Sequence, residues 1–138
     1  KVLPESTVVQ NECPLLVPII EEGEFEWDGL KSILEKYLHP LIKRNIDTLL
    51  LGCTHYSLIE KQIRNVLGEG ITIVSEAVVI PEKLKNYFEN HPEIEKLIKK
   101  NQKREYYVSD FSEQYNVLVK LFLGRYFGEK DLLQVAHL

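Results

Sequence analysis

The seven residues Asp47-Thr48-Leu49-Leu50-Leu51-Gly52-Cys53 constrain the fold of this chain more than any other stretch. The run is short and apolar, with little alternation. Such a run suits a strand covered on both faces, as in a parallel sheet. It follows a segment in which Leu30, Ile33, Leu34, Tyr37, Leu38 and Leu41 recur at helical spacing and form one apolar face. A second amphipathic segment comes after it. There Leu58, Ile59, Ile63, Val66 and Leu67 lie on one side, and Lys61, Gln62 and Arg64 on the other. Gly68 and Gly70 close that segment, and Ile71-Thr72-Ile73-Val74-Ser75 reads as a further strand. Helices alternating with such strands predict an α/β fold with a mostly parallel sheet flanked by helices.

The remaining stretches fit around this frame. Thr7-Val8-Val9-Gln10 is β-branched and reads as a short strand. Leu15 to Ile20 is interrupted by Pro18, which cannot donate to a ladder, so it reads as a buried loop or short helical turn. Asp28 is placed to cap the helix that follows, and Pro40 to kink or stop it near its end. Glu76 to Asn90 is helical in pattern, with Pro81 near its start. Helix-like charge runs from Glu93 to Lys100, and the charged stretch from Glu93 to Arg104 is most simply a solvated face or loop. Tyr106-Tyr107-Val108 reads as the last strand. Phe111 to Leu123 reads as the last helix, capped by Asp110 and ended by Gly124.

Composition narrows the function classes. The chain has 138 residues, enough for a real core but not for two large domains. Seventeen basic residues stand against twenty-one acidic ones, and the net charge of −4 comes with no basic block. The electrostatic footprint of a nucleic-acid binder is therefore missing. No apolar run reaches the length of a membrane span, and nothing at the start reads as a signal peptide. The two cysteines, Cys13 and Cys53, form no CxxC pair. They read as free thiols in a reducing compartment, which predicts a cytoplasmic protein. Four scattered histidines give no zinc pattern. The chain starts at Lys1 and contains no methionine, so it is expected to be a piece of something longer.

Candidate chemistry collects after the apolar run. In open parallel sheets, ligands bind at the carboxyl ends of strands, and Cys53 stands at such an end. The free N–H groups and dipole of the next helix favour a thiolate over a thiol there. His55, two positions on, points to the same side if the chain is still extended. Thr54 offers a hydroxyl and an N–H suited to a carboxylate. The plainer reading is that Cys53 is a small buried hydrophobe and that Thr54 and His55 only cap a helix. Cys13, beside a proline, reads as a packing residue. Glu21 and Glu22 close an apolar run before Gly23, a pattern shared with any solvated turn.

Gly52-Cys53-Thr54-His55-Tyr56, preceded by Asp47 to Leu51, resembles the second cysteine motif of glutamate racemases, in the aspartate/glutamate racemase family. Cys13 to Gly23 resembles the segment that precedes it. Tyr37-Leu38-His39-Pro40-Leu41 resembles the end of the intervening helix. Val108-Ser109-Asp110 and Leu121-Phe122-Leu123-Gly124 resemble the last strand and helix. Order and spacing agree from about Thr7 to Gly124, which is the C-terminal half of the family's two-lobed fold. The motif around Cys53 is specific, and the flanking matches gain weight together.

The resemblance implies an isomerase that interconverts L- and D-glutamate without a cofactor or metal, for peptidoglycan synthesis and so for cell-wall biogenesis and cell shape. Two cysteines on opposite faces of the substrate exchange protons with its α-carbon. Cys53 matches one of them, with His55 assisting. Thr54 and His55 match substrate-binding positions, and Glu21 matches a carboxylate near the site. The implied partners are glutamate and the N-terminal half of a parent protein, with a homodimer among the assemblies allowed and neither nucleic acid nor membrane. Residues 1–77 would belong to the second lobe, and residues 78–138 would return to the first.

Departures from the family pattern carry expectations of their own. The Cys-Asn-Thr motif of the other catalytic cysteine is absent, and so is the N-terminal Asp-Ser motif. The chain alone is therefore expected to be inactive. Cys13 does not match the missing cysteine. Ser57 stands where the family usually has proline, which should loosen the start of the helix. Val74-Ser75 stands where Asp-Ser is common, at expected lobe contacts. The rival readings are a racemase acting on aspartate, a catalytically incomplete fragment or binding module of the same fold, and a Cys-His hydrolase built on Cys53 and His55.

Overall fold

The computed structural model describes residues 5–99, 105–110, 113–124 and 132–136. The chain divides into two compact units, Lys1–Pro81 and Glu82–Leu138.

In the first unit, α1 (Leu16–Glu21) forms where a loop or helical turn was expected. Pro18 is harmless there because N–H groups of a first turn have no intrahelical partner. Helix α2 (Asp28–Ile42) buries Leu30, Leu34, Tyr37, Leu38 and Leu41, the face its spacing predicts. Asp28 does not cap it. Trp27 occupies the cap position with extended backbone, and its carbonyl accepts from the N–H of Leu30 at 2.9 Å. Asp28 is instead the first helical residue, where a carboxylate favours the positive end of the helix dipole. Pro40 lies inside the helix, two residues before its end.

Strand β1 (Thr48–Leu50) pairs in parallel with β2 (Thr72–Val74), Leu49 opposite Ile73. The N–H of Leu51 extends the ladder to the carbonyl of Val74 at 3.0 Å. Between the strands run a 3₁₀ helix (Thr54–Ile59) and α3 (Glu60–Leu67). Gly68 ends α3 at φ 72° and ψ −164°, a region open essentially to glycine alone. Arg64 Nη1 then donates to the carbonyl of Ile71 at 2.6 Å and fixes the return into β2. Leu16 and Ile20 of α1, the buried face of α2, and Leu51, Ile59, Ile63 and Leu67 make one apolar core. Helix α1 packs on the 3₁₀ helix and α2 on α3.

Two expectations about strands fail in this unit. Thr7 to Gln10 joins no ladder among the described residues, and Val8 is 81% exposed. β-branched residues make a strand only where a neighbour offers hydrogen bonds. Strand β1 is not covered on both faces either, since Leu50 is 66% exposed while Leu51 is buried.

Helix α4 (Glu76–Asn90) carries the division between the units and buries none of its residues. Val78, Ile80 and Leu84 are exposed on it. Pro81 lies inside it and supplies no N–H to the helical ladder. In the second unit, α5 (Pro92–Glu95) is one turn and begins with a proline at its first position. Strand β3 (Glu105–Val108) pairs in parallel with β4 (Leu132–Val135), with α6 (Glu113–Leu123) between them in sequence. Tyr106 to Val108 is thus not the last strand. Residues 100–104 and Phe111, to which the charged stretch and the last helix were expected to reach, lie outside the described residues. Asp110 sits on a bend just before that gap.

Candidate functional site around Cys53

The apolar run delivers Cys53 from β1 with extended backbone, φ −148° and ψ 135°. At Thr54 the chain turns into the 3₁₀ helix, and the N–H of Tyr56 donates to the carbonyl of Cys53 at 3.1 Å. The backbone is therefore not extended as far as His55. The turn itself folds the imidazole back, with Nδ1 3.7 Å from Cys53 Sγ. On its other edge, His55 Nε2 lies 3.1 Å from Oε1 of Glu21, the last residue of α1. Packing of α1 on the 3₁₀ helix brings these distant residues together.

A carboxylate can only accept, so the short contact to Glu21 places the ring proton on Nε2. In the neutral imidazole this leaves the Nδ1 lone pair facing the thiol. The three groups form a line along which a proton can leave sulfur for nitrogen. Side-chain exposures of 24% for His55 and 45% for Glu21 keep the pair accessible to solvent, so it orients the ring more than it stabilises the fold. Thr54 is exposed at the head of the 3₁₀ helix.

Cys13 is a half-buried thiol whose Sγ lies 3.6 Å from the carbonyl of Asn11. Burial pushes its pKa up, which holds it as the protonated thiol. Two tyrosines, Tyr56 and Tyr37, join the Cys13 side of the site. Tyr56 donates from its hydroxyl to the carbonyl of Cys13 at 3.5 Å. Burial first, then the charges that Cys13, Cys53 and Tyr37 can carry, push its phenol pKa up and keep it a donor. Tyr37 accepts at its hydroxyl from the N–H of Leu15 at 3.4 Å, and its carbonyl accepts from Asn11 Nδ2 at 2.8 Å. Tyr56 stands in the cysteine motif, a signal that could have flagged it. Tyr37 looked like any residue of an apolar helix face.

Ser57, expected to loosen the helix start, lies in the 3₁₀ helix. Its hydroxyl shares a 2.9 Å hydrogen bond with Ser75, which is 2% exposed at the end of β2. Ser57, which departs from the expected pattern, thus bonds to the serine that follows the other departing position, Val74. Among the described residues, no three His, Cys, Asp or Glu side chains converge as a metal ion would require.

A glutamate racemase of Sulfurihydrogenibium sp. (strain YO3AOP1) is 36% identical over 123 residues, covering 89% of this chain and 44% of that protein. This chain resembles the glutamate racemases. The glutamate racemase of Aquifex aeolicus is also 36% identical, over 85% of this chain and 42% of its own length. Among solved structures, the glutamate racemase of Francisella tularensis in complex with D-glutamate superposes with a TM-score of 0.80 at 25% identity, covering 97% of this chain and 48% of that one. The glutamate racemase isoform RacE1 of Bacillus anthracis gives 0.78 at 26% identity. No protein-family model matches. The α/β fold with parallel strands is that of these glutamate racemases, and the chain spans about half the length of the curated relatives it matches.

Proposed function

We propose that this chain is the C-terminal half of a glutamate racemase and supplies one of two cysteines that exchange protons with the substrate. The observation that carries the reading is the line from Cys53 Sγ through His55 to Glu21, built on the motif of residues 52–56. In the proposed step the thiolate of Cys53 takes the α-proton, so that the C–H bond breaks and an S–H bond forms. A second thiol on the opposite face, outside this chain, then delivers a proton to the carbanion. Negative charge builds on the substrate carboxylate meanwhile. The hydroxyl and N–H of Thr54 are offered to it as donors, which lowers the barrier if they are already in place. His55 removes the proton that Cys53 must lose before each turnover, and Glu21 fixes the ring.

Two opposed thiols serve both enantiomers without a cofactor. D-Glutamate from such a reaction feeds peptidoglycan synthesis in the cytoplasm. The N-terminal half of the parent protein is the proposed partner, with residues 1–77 in one lobe and residues 78–138 returning to the other. Exposed Leu50 on β1 and exposed Val78, Ile80 and Leu84 on α4 support a partner that covers them. No helix among the described residues is long and apolar enough to cross a membrane.

Incubation in deuterium oxide tests the reading. Glutamate should gain α-deuterium with the full-length protein and none with this chain alone. Exchange by this chain alone contradicts the need for a second cysteine. No exchange by the full-length protein contradicts the racemase. A thiol–imidazole–carboxylate line also suits a Cys-His hydrolase, which forms a covalent acyl-enzyme. Mass spectrometry after incubation with a thioester would find an acyl adduct on Cys53 only under that second reading.

A further inference from the structure

The N–H of Leu51, one residue past β1, donates to the carbonyl of Val74, the last residue of β2, at 3.0 Å. Beyond that bond the two strands lead into different elements. One continues through Cys53 into the 3₁₀ helix, and the other through Ser75 into α4. They meet again where the hydroxyls of Ser57 and Ser75 share a hydrogen bond of 2.9 Å. The segment from Leu51 to Ser57 is thus pinned at both ends to two consecutive residues, Val74 and Ser75. Between the pins lie Cys53, Thr54 and His55.

The two serines are not equally fixed. Ser75 is 2% exposed, and its carbonyl accepts from the N–H groups of Val78 and Val79 at 3.1 Å each, in the first turn of α4. Ser57 is only half-buried, on the 3₁₀ helix. The bond therefore ties the 3₁₀ helix to an anchored residue just past β2. On the other side of Cys53, a Cβ at Gly52 would meet no atom within 4 Å beyond its chain neighbours, so the backbone is open there. The 3.7 Å contact from Cys53 Sγ to His55 Nδ1 leaves little room for drift of the helix that carries the imidazole. A misplacement of about 1 Å, caused far from the chemistry, can cost about 10²-fold in rate.

We propose that Ser57 and Ser75 are positioning residues, whose hydrogen bond holds the 3₁₀ helix at the end of β2 and so keeps His55 Nδ1 on Cys53 Sγ. The inference rests on the reading of Cys53 and His55 as a proton-exchanging pair, and thiol chemistry tests it without racemisation. Ser57→Ala alone strands the buried Ser75 hydroxyl. Ser57→Ala with Ser75→Ala removes both hydroxyls and leaves neither unpaired, so the double variant keeps the fold better. In it, Cys53 should react with iodoacetamide about threefold more slowly at neutral pH, while Cys13 keeps its rate. Looser folding would instead speed both thiols, because it uncovers them. Ser57→Thr keeps a hydroxyl and should keep the Cys53 rate. In a His55→Ala chain the double substitution should slow Cys53 no further, since the pair acts through the imidazole. Peptide mass spectrometry against time reads both thiols in one sample. An unchanged Cys53 rate in the double variant, faster reaction of both thiols, equal slowing by Ser57→Thr, or further slowing beside His55→Ala would overturn the positioning role. If His55→Ala slows Cys53 and the double variant does not, only this inference falls. If neither slows it, the Cys53–His55 reading falls as well.

Discussion

His55 and Glu21 are 34 residues apart in sequence and 3.1 Å apart in space. That contact fixes which edge of the imidazole meets the thiol. Without it the ring could turn either nitrogen toward Cys53. With it, Nδ1 faces Sγ at 3.7 Å as an acceptor.

Thiol reactivity should depend on this contact. His55→Ala removes the acceptor and should slow alkylation of Cys53 by iodoacetamide at neutral pH by roughly tenfold, because the thiolate is the reactive form. Glu21→Gln keeps the shape and loses the charge, so it should slow alkylation by a smaller factor. Peptide mass spectrometry against time measures both, and identical rates in all three chains would contradict the proton relay.

Cys13 and Tyr56 give a prediction in pH. Burial raises both pKa values, so their neutral forms are favoured in the fold. For acids with raised folded pKa values, the linked stability is fully present below the unfolded value and is lost as pH rises through the folded one. Thermal stability should therefore fall above about pH 9, where ordinary thiols and then phenols begin to ionise. Tyr56→Phe should flatten that fall, as followed by circular dichroism melts across pH. Cys13 should also alkylate more slowly than Cys53 at neutral pH.

Ser57→Ala should destabilise the first unit. The change leaves the Ser75 hydroxyl, 2% exposed, without the 2.9 Å bond it makes to Ser57. A buried hydroxyl stripped of its partner costs about 1–3 kcal/mol, read as a shift of the urea midpoint. Unchanged stability would mean that Ser75 finds another partner.

Much of this arrangement is legible in the chain as a string. The spacing from Leu30 to Leu41 marks the buried face of α2, and the run from Asp47 to Cys53 marks a parallel strand, Thr48–Leu50, that leads to the thiol three residues on. Cys53 and His55 are near each other by chain geometry alone. Glu21 is different, because its approach to His55 depends on how α1 packs on the 3₁₀ helix, and no local pattern encodes that. Thr7 to Gln10 shows the converse, a strand-like composition without a ladder to join. Strand β4 went unseen because Leu132 to Val135 is too short to distinguish from a helix fragment until β3 is beside it. Leu50 looked doubly buried because its run is uniformly apolar. A sequence does not say which apolar surface is covered inside the same chain.

Solvent exchange at the substrate α-carbon by the full-length protein with Cys53→Ser bears most directly on the role of Cys53 as one of two opposed thiols. Deuterium incorporation into L- and D-glutamate would be followed separately in deuterium oxide. Racemisation should fall by about 10²–10⁴-fold, the usual contribution of a general base. Exchange of the two enantiomers should become unequal, because the thiol on one face is gone. Equal exchange of both at the unsubstituted rate would contradict that role.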